Sequence, residues 1–405
     1  LKSLLIASYD MEVGGVERSL AGLLDEFDYS QYDVNLMLYR HQGDFMSLLT
    51  GKAKLLDEIP QYATFRQSIG GTFRNRQHGI GISRILAKVH AALNGKIKGI
   101  EDTGYHQMQL MWKYALPFLP QERRHYDVAI SYLWPHYYVA EKVSATTKIA
   151  WIHTDFSTIA TNPKLDLEMW SKFDYIMAVS EACKQSFLEK YGSLNEKVVV
   201  LENIMSPASI STMAAEAADT NPMIKDSRFK LLTVGRLSHA KGIDNAVKAM
   251  KQLADKGYDD LVWYIVGYGG DEAMIRKLIA GFGLENCFIL LGKQTNPYPY
   301  MSECDLYVQP SRYEGKAVTV TEAKILGKPI VITNYPTAAS QVTHERDGFI
   351  TELSVEGIAA GIEKLYLNNE LRARIADNCK QHDYSNGYEL NRLYELIGAE
   401  GRSIS

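Results

Sequence analysis

Cysteine is scarce in this chain: four in 405 residues (Cys183, Cys287, Cys304 and Cys379), too far apart for any metal-ligand spacing. That excludes a zinc module or a disulfide scaffold and predicts reduced, mostly buried thiols, as in a cytoplasmic protein. Long apolar runs are missing as well. No stretch reaches the roughly 18 residues needed to cross a bilayer, and the opening LKSLLIASYD is too short for a signal peptide and reads as a buried strand. An excess of positive charge is absent: the net charge of −4 argues against a general nucleic-acid binder. No G-x-x-x-x-G-K-[ST] loop occurs. Nor does a G-x-G-x-x-G follow a strand with an acid about 20 residues on, which makes a dehydrogenase a poor reading.

What is present is an alternation. Apolar runs at 3–9, 34–39, 128–133, 149–153, 175–179 and 198–201 are separated by amphipathic stretches. Continuous apolar strands between helices predict a parallel sheet covered on both faces, hence an α/β fold. The pattern restarts at 230–234, 261–266, 288–291, 306–308 and 330–333, with helices near 243–255, 272–280, 320–326 and 355–366. The division expected is a first domain over 1–205, a linker over 206–226 in an Ala/Ser/Thr/Met-rich stretch, and a second domain over 227–380. A C-terminal helical segment, 381–405, is free to pack back on the first domain.

Residues 61–100 break the pattern, with Arg66, Arg74, Arg76, Arg84, Lys88, Lys96 and Lys98 and not one Asp or Glu. They form the basic part of an insertion expected over about 61–120. Within it, Ile82, Ile85, Leu86 and Val89 recur at helical spacing among Arg84, Lys88 and His90. Such a helix either packs on its own domain with a solvated basic face or meets an anionic surface, and Arg66 to Lys98 is read as a candidate membrane contact. Residues 108–119 are apolar enough to bury or to form a groove.

Two stretches carry chemistry. After the strand at 231–234 come Gly235, Arg236, Lys241 and Gly242: two fixed cations and two glycines on a strand-to-helix loop, the composition that holds a diphosphate. After the strand at 306–308 comes Gln309 to Lys328, a polar turn with Ser311, Glu314 and Gly315 that runs into a helix carrying Glu322. Helix starts after buried strands collect anionic or hydroxyl-rich ligands. Gly14 and Gly15 form a glycine turn after the first strand, explained equally well by a tight turn or by a ligand.

Taken together, Gly235-Arg236, Lys241-Gly242 and the spacing of Glu314-Gly315 from Glu322-Ala323, followed by Gly327-Lys328-Pro329, resemble the retaining glycosyltransferases of family 4. The likeness covers about 231–349 well and the first domain thinly. It implies a GT-B fold: two Rossmann-like doubly wound parallel-sheet domains facing a central cleft. It further implies that Arg236 and Lys241 bind the diphosphate of a nucleotide sugar, Glu322 the ribose hydroxyls and Glu314 the donor-sugar hydroxyls. Backbone from Gly315 through Lys316 and Ala317 would meet sugar or phosphate, Gly292 and Lys293 the base, Gly14 and Gly15 the donor phosphate and acceptor, and His153 the transferred sugar. His153, Glu314, Arg236 and Lys241 make up the catalytic set.

Charge builds on the leaving diphosphate as the sugar departs. No Asp-x-Asp occurs to hold a cation for it, while two protein cations and a helix N-terminus can stabilise it. The expectation is transfer with no metal and no cofactor. The donor is expected to be a UDP-sugar before a GDP-sugar, the sugar a hexosyl or N-acetylhexosaminyl group, and the acceptor a carbohydrate, cell-wall polymer or lipid-linked glycan, with no nucleic-acid partner. A cytoplasmic enzyme, perhipheral on the inner face of the plasma membrane, fits that set. Lys316 and Ala317 stand where the family usually has a bulky apolar residue and then Gly or Pro, which leaves a non-catalytic scaffold as the alternative. A nucleotide-sugar epimerase or a phosphorylase on a similar fold is a further one.

Overall fold

The computed structural model describes residues 1–98, 104–216 and 221–398, with the side chains at 95–98 and 158 outside that description. It divides into two compact units. One comprises Leu1–Glu12, Val16–Asn203 and the segment from Tyr388; the other comprises Val13–Gly15 and Ile204–Gly387.

The first unit is built on seven strands: β1 (Lys2–Ser8), β2 (Tyr32–Leu38), β3 (Lys54–Leu55), β4 (His125–Ser131), β5 (Ser144–Ile152), β6 (Tyr175–Ala178) and β7 (Val198–Val200). They are ordered β3-β2-β1-β4-β5-β6-β7, and every pair is parallel. Leu4, Leu5 and Ile6 are fully buried in succession, so β1 is covered on both faces. The apolar stretch at 108–119 is buried at Leu110, Trp112, Ala115 and Leu119 and exposed at Phe118. In the helix Gly104–Ala115, Trp112 is fully enclosed; its Nε1 donates to the Tyr9 hydroxyl at 2.6 Å, and Phe65 stacks on it at 3.9 Å.

The second unit has six strands: β8 (Phe229–Val234), β9 (Leu261–Val266), β10 (Phe288–Gly292), β11 (Leu306–Gln309), β12 (Ile330–Thr333) and β13 (Phe349–Thr351). Their order is β10-β9-β8-β11-β12-β13, again all parallel. Neighbouring residues send their side chains to opposite layers. Leu231, Trp263 and Ile265 join one apolar cluster, and Leu232, Val262 and Tyr264 the other. Two helix layers therefore sandwich the sheet.

Two expectations are refined. The stretch read as a linker holds a helix, Pro207–Ala214, and its Ile210 is buried in the second unit's core beside Met205 and Met223. The expected C-terminal helical segment holds a helix over Glu389–Gly398, separated from the helix Asn369–Gln381 by Asp383, Ser385, Asn386 and Gly387, which favour turns over helix. The last helix belongs to the first unit. Tyr394 stacks on Tyr32 at 5.4 Å and accepts the Asp28 N–H at 2.7 Å. Among the described residues no helix is long and apolar enough to cross a membrane.

Candidate functional site

In a doubly wound sheet, ligands gather where the strand order reverses, beyond the carboxyl ends of the strands. In the second unit that point lies between β8 and β11, which pair directly while their crossovers run to opposite sides. Gly235 to Gly242 leaves β8 and Pro310 to Ala317 leaves β11, so the topology brings together the two stretches that the sequence singles out.

Their approach is close at the backbone. Gly242 has φ 65°, and a Cβ there would stand 2.1 Å from the Pro310 carbonyl oxygen. No side chain fits, and the left-handed conformation favours glycine in any case. Arg312 fastens the two loops further. Its backbone N–H donates to the Ala240 carbonyl at 2.8 Å and its Nη1 to the His239 carbonyl at 2.8 Å. The guanidinium forks onto both carboxylate oxygens of Asp244, at 2.8 and 2.7 Å. Burial pushes the Asp244 carboxyl up, but the hydrogen bonds and charge of Arg312 outweigh it and hold it below the usual range. The outer flank is also glycine-dependent: Gly267, beyond β9, would place a Cβ 1.8 Å from the Gly235 carbonyl oxygen.

Across this seam the chemistry-bearing groups meet. Lys241 Nζ donates to Glu314 Oε1 at 2.5 Å. The same oxygen accepts from Ser311 Oγ at 2.6 Å and Gln309 Nε2 at 3.0 Å. Gln309 is fully buried, and its amide is oriented from behind: Oε1 accepts from the Tyr307 hydroxyl at 2.8 Å and Thr319 Oγ1 at 3.2 Å. Glu314 Oε2 takes part in none of these bonds. Arg236 is exposed on the β8 loop, and its guanidinium makes no hydrogen bond or ion pair among the described residues. One cation is thus paired inside the site, and the other stands in water.

Glu322, on the helix Val318–Ile325, is fully buried, and its Oε1 accepts from the Tyr298 hydroxyl at 2.8 Å. Gly315 is buried and Lys316 half-buried at the entry to that helix. The Ala317 N–H, expected to face a donor, instead donates to Gln341 Oε1 at 3.1 Å, because Ala317 is itself buried under the segment after β12. Thr337 of that segment donates to the Glu314 carbonyl at 3.0 Å. Gly292 closes β10 at φ 72°, and Lys293 lies over the Tyr268 ring at 5.1 Å. Arg312, Gln309 and Tyr298 are the residues that sequence reasoning passed over.

β1 leads to Gly14 and Gly15, which group with the second unit; Gly15 opens the helix Gly15–Glu26. His153 follows β5. Burial pushes its imidazole down to about 3, against a hydrogen bond to the Tyr132 backbone that favours the charged form, so the ring is neutral at physiological pH. Its Nε2 is buried with no hydrogen-bond partner among the described residues. A second histidine, His136, is likewise held neutral by burial and by His153, with Nδ1 2.8 Å from Ser131 Oγ.

Residues 216–382 match the family model described as glycosyl transferases group 1. An uncharacterised glycosyltransferase of Haemophilus influenzae is 29% identical over 224 residues, 55% of this chain and 59% of that protein. An N-acetylgalactosaminyltransferase of Campylobacter jejuni, whose name gives a diphospho-undecaprenol-linked glycan as its acceptor, is 24% identical over 237 residues, 58% of this chain and 62% of that one. The chain therefore spans less than two thirds of the length of these relatives. HepE of Anabaena, solved with UDP and glucose, superposes with a TM-score of 0.69 over 99% of this chain and 100% of its own, at 17% identity. The fold is GT-B. Within it, the Lys241–Glu314 seam lies at the strand-order switch of the second Rossmann-like unit, the one that falls almost wholly within the group 1 match.

Proposed function

We propose that the protein is a glycosyltransferase that moves a hexosyl or N-acetylhexosaminyl group from a nucleotide sugar to a glycan or lipid-linked acceptor. The observation that carries this reading is the seam itself: Lys241 on Glu314 Oε1, with Arg236 exposed on the same loop as Lys241, and both loops locked by Gly242 and Arg312. Lys241 and Arg236 would take the diphosphate, as ammonium and guanidinium suit phosphate oxygens. Glu314, held through one oxygen, offers the other to a sugar hydroxyl. Glu322, oriented by Tyr298, takes the ribose.

His153 joins as a neutral group. It can exchange one hydrogen bond with a sugar hydroxyl but offers no counter-charge to phosphate. Charge on the departing diphosphate would then be met by protein cations and the helix start, so transfer is proposed to need no metal, and turnover should survive a chelator. Retention of the anomeric centre follows from the likeness to family 4. So does a front-face path, in which the departing phosphate helps deprotonate the acceptor. UDP is favoured over GDP as the donor's nucleotide, in line with the UDP in the HepE structure. The acceptor class rests on the name of the Campylobacter jejuni relative. A place at the inner face of the plasma membrane rests on the basic segment, where Arg74, Arg76 and Lys88 are exposed.

The test is a thermal-shift and nucleotide-release panel of UDP- and GDP-sugars on the wild type, Lys241→Met and Glu322→Ala. One nucleotide series that shifts the wild type and neither variant supports the reading. No shift and no release with any donor, with acceptor extracts added, would remove it.

A further inference from the structure

The basic helix His78–Lys98 packs with the face opposite to the one its pattern suggests. Ile82, Ile85, Leu86, Val89 and Leu93 recur at steps of three and four residues, the usual mark of a buried stripe. Yet they are 53%, 43%, 55%, 54% and 56% exposed. The face turned inward is small: Ala87 and Ala91 are fully buried against Leu110, with Met111, Tyr114 and Leu165 around them, and Gly81 lies under the Phe73 ring. Small residues let this helix approach the helix Gly104–Ala115 closely. Of its large aliphatics, Ile80 in the first turn is buried, and those from Ile82 to Leu93 are left outside. Phe118, 52% exposed, lies against Gly79 in the first turn and lengthens the stripe.

The cations around it are sorted too. Arg66 is paired with Asp10 at 2.8 Å. Arg84 is turned inward, with Nη1 on the Thr64 carbonyl at 2.7 Å and Thr72 Oγ1 at 2.9 Å, so neither belongs to the outer basic face expected of them. Arg74, Arg76 and Lys88 are exposed, and no Asp or Glu lies in the sequence between Glu58 and Glu101 to neutralise them. The side chains of Lys96 and Lys98 lie outside the described residues.

We propose that this helix lies in the plane of an anionic phospholipid bilayer, with the five aliphatics and Phe118 entering the acyl boundary. Arg74, Arg76 and Lys88 then meet the headgroup phosphates. An exposed apolar stripe on a segment that carries exposed cations and no acid in its sequence is the composition of an interfacial helix. A second copy of this chain is the poorer occupant, since a two-fold contact sets the same cations against each other. The proposal deepens the membrane reading above by making apolar insertion, and not charge alone, the source of binding; it is independent of the transfer chemistry.

Flotation with vesicles of phosphatidylcholine, with and without about a third phosphatidylglycerol, tests it without any donor. The wild type should float with the anionic vesicles and keep part of its binding at about 0.5 M salt, where charge is screened. Leu86→Ser/Val89→Ser/Leu93→Ser should lose at least about tenfold in binding. Arg74→Glu/Arg76→Glu/Lys88→Glu should lose a similar factor at low salt. Unchanged circular dichroism and an unchanged melting temperature would certify folded variants. An aliphatic variant that floats like the wild type overturns the inserted stripe and leaves the membrane reading standing. A wild type that never floats overturns both. A wild-type dimer by light scattering that becomes monomeric in the aliphatic variant, without flotation, gives the stripe to a second copy and overturns the proposal.

Discussion

The two units share one architecture and stock their strand ends differently. Beyond β8 and β11 the second unit places a lysine, an arginine and a glutamate on loops bolted together by Arg312 and Gly242. Beyond β5 the first unit places a neutral histidine beside a core of tyrosine and tryptophan. The sheets are nearly interchangeable as scaffolds. What distinguishes the units is which one has loops fixed firmly enough to hold charge in a half-buried setting, and that is the one able to stabilise an anion.

The contrast is tested most severely at the charged seam. Replacing Lys241 with Met should lower nucleotide release by about a thousandfold, the scale seen when one pre-placed charge-stabilising group is removed; measured under saturating donor, a loss under tenfold would place the diphosphate elsewhere. Arg312→Ala breaks a forked pair about four-fifths buried on both sides and should destabilise the protein by about 2–3 kcal/mol in urea unfolding. Arg312→Lys should recover little of that, since an ammonium cannot fork. Gly242→Ala puts a methyl onto the Pro310 carbonyl in a left-handed conformation; about 1–3 kcal/mol of strain is expected, read as a weaker donor thermal shift. Serine at Gly70, which has open space around it, serves as the neutral control.

The smallest effect belongs to the first unit. His153 is neutral when folded, with its imidazole pushed down to about 3, but takes a proton below about 6.5 when unfolded. The unfolded chain thus binds more protons as pH falls, and stability drops between about 6.5 and 3, by roughly 1 kcal/mol per pH unit. Against the wild type, His153→Gln should flatten the change in melting temperature between about pH 7 and pH 5; parallel curves would mean that the histidine is solvated.

Much of the fold was legible because parallel strands buried on both faces leave continuous apolar runs, as at Leu4 to Ala7 and Val262 to Val266. Two strands left no such trace. β3 is two exposed residues paired to β2, and β13 is three residues with only Thr351 buried. In the site, the charged loops could be read from composition and from likeness to a family, but the clamp could not: Arg312 and Asp244 are 68 residues apart, and an arginine between Ser311 and Tyr313 looks like any surface cation. Gln309 was passed over because its role depends on Tyr307 and Thr319 meeting it from a strand and a helix. The basic helix shows the same limit differently: periodicity gave its stripe, and only the tertiary partner of Ala87 and Ala91 decided which way the stripe faced.

The bond between Lys241 and Glu314 makes the seam an internal salt, in which the lysine already holds an anionic partner. On the proposed reading, a phosphate that claims Lys241 would therefore be a competitor and not an addition, and binding an exchange of one anionic partner for another. Glu314 Oε1 would keep its bonds from Ser311 and Gln309 through that exchange, so the carboxylate would stay in place with Oε2 turned to a sugar hydroxyl while its former cation serves the phosphate.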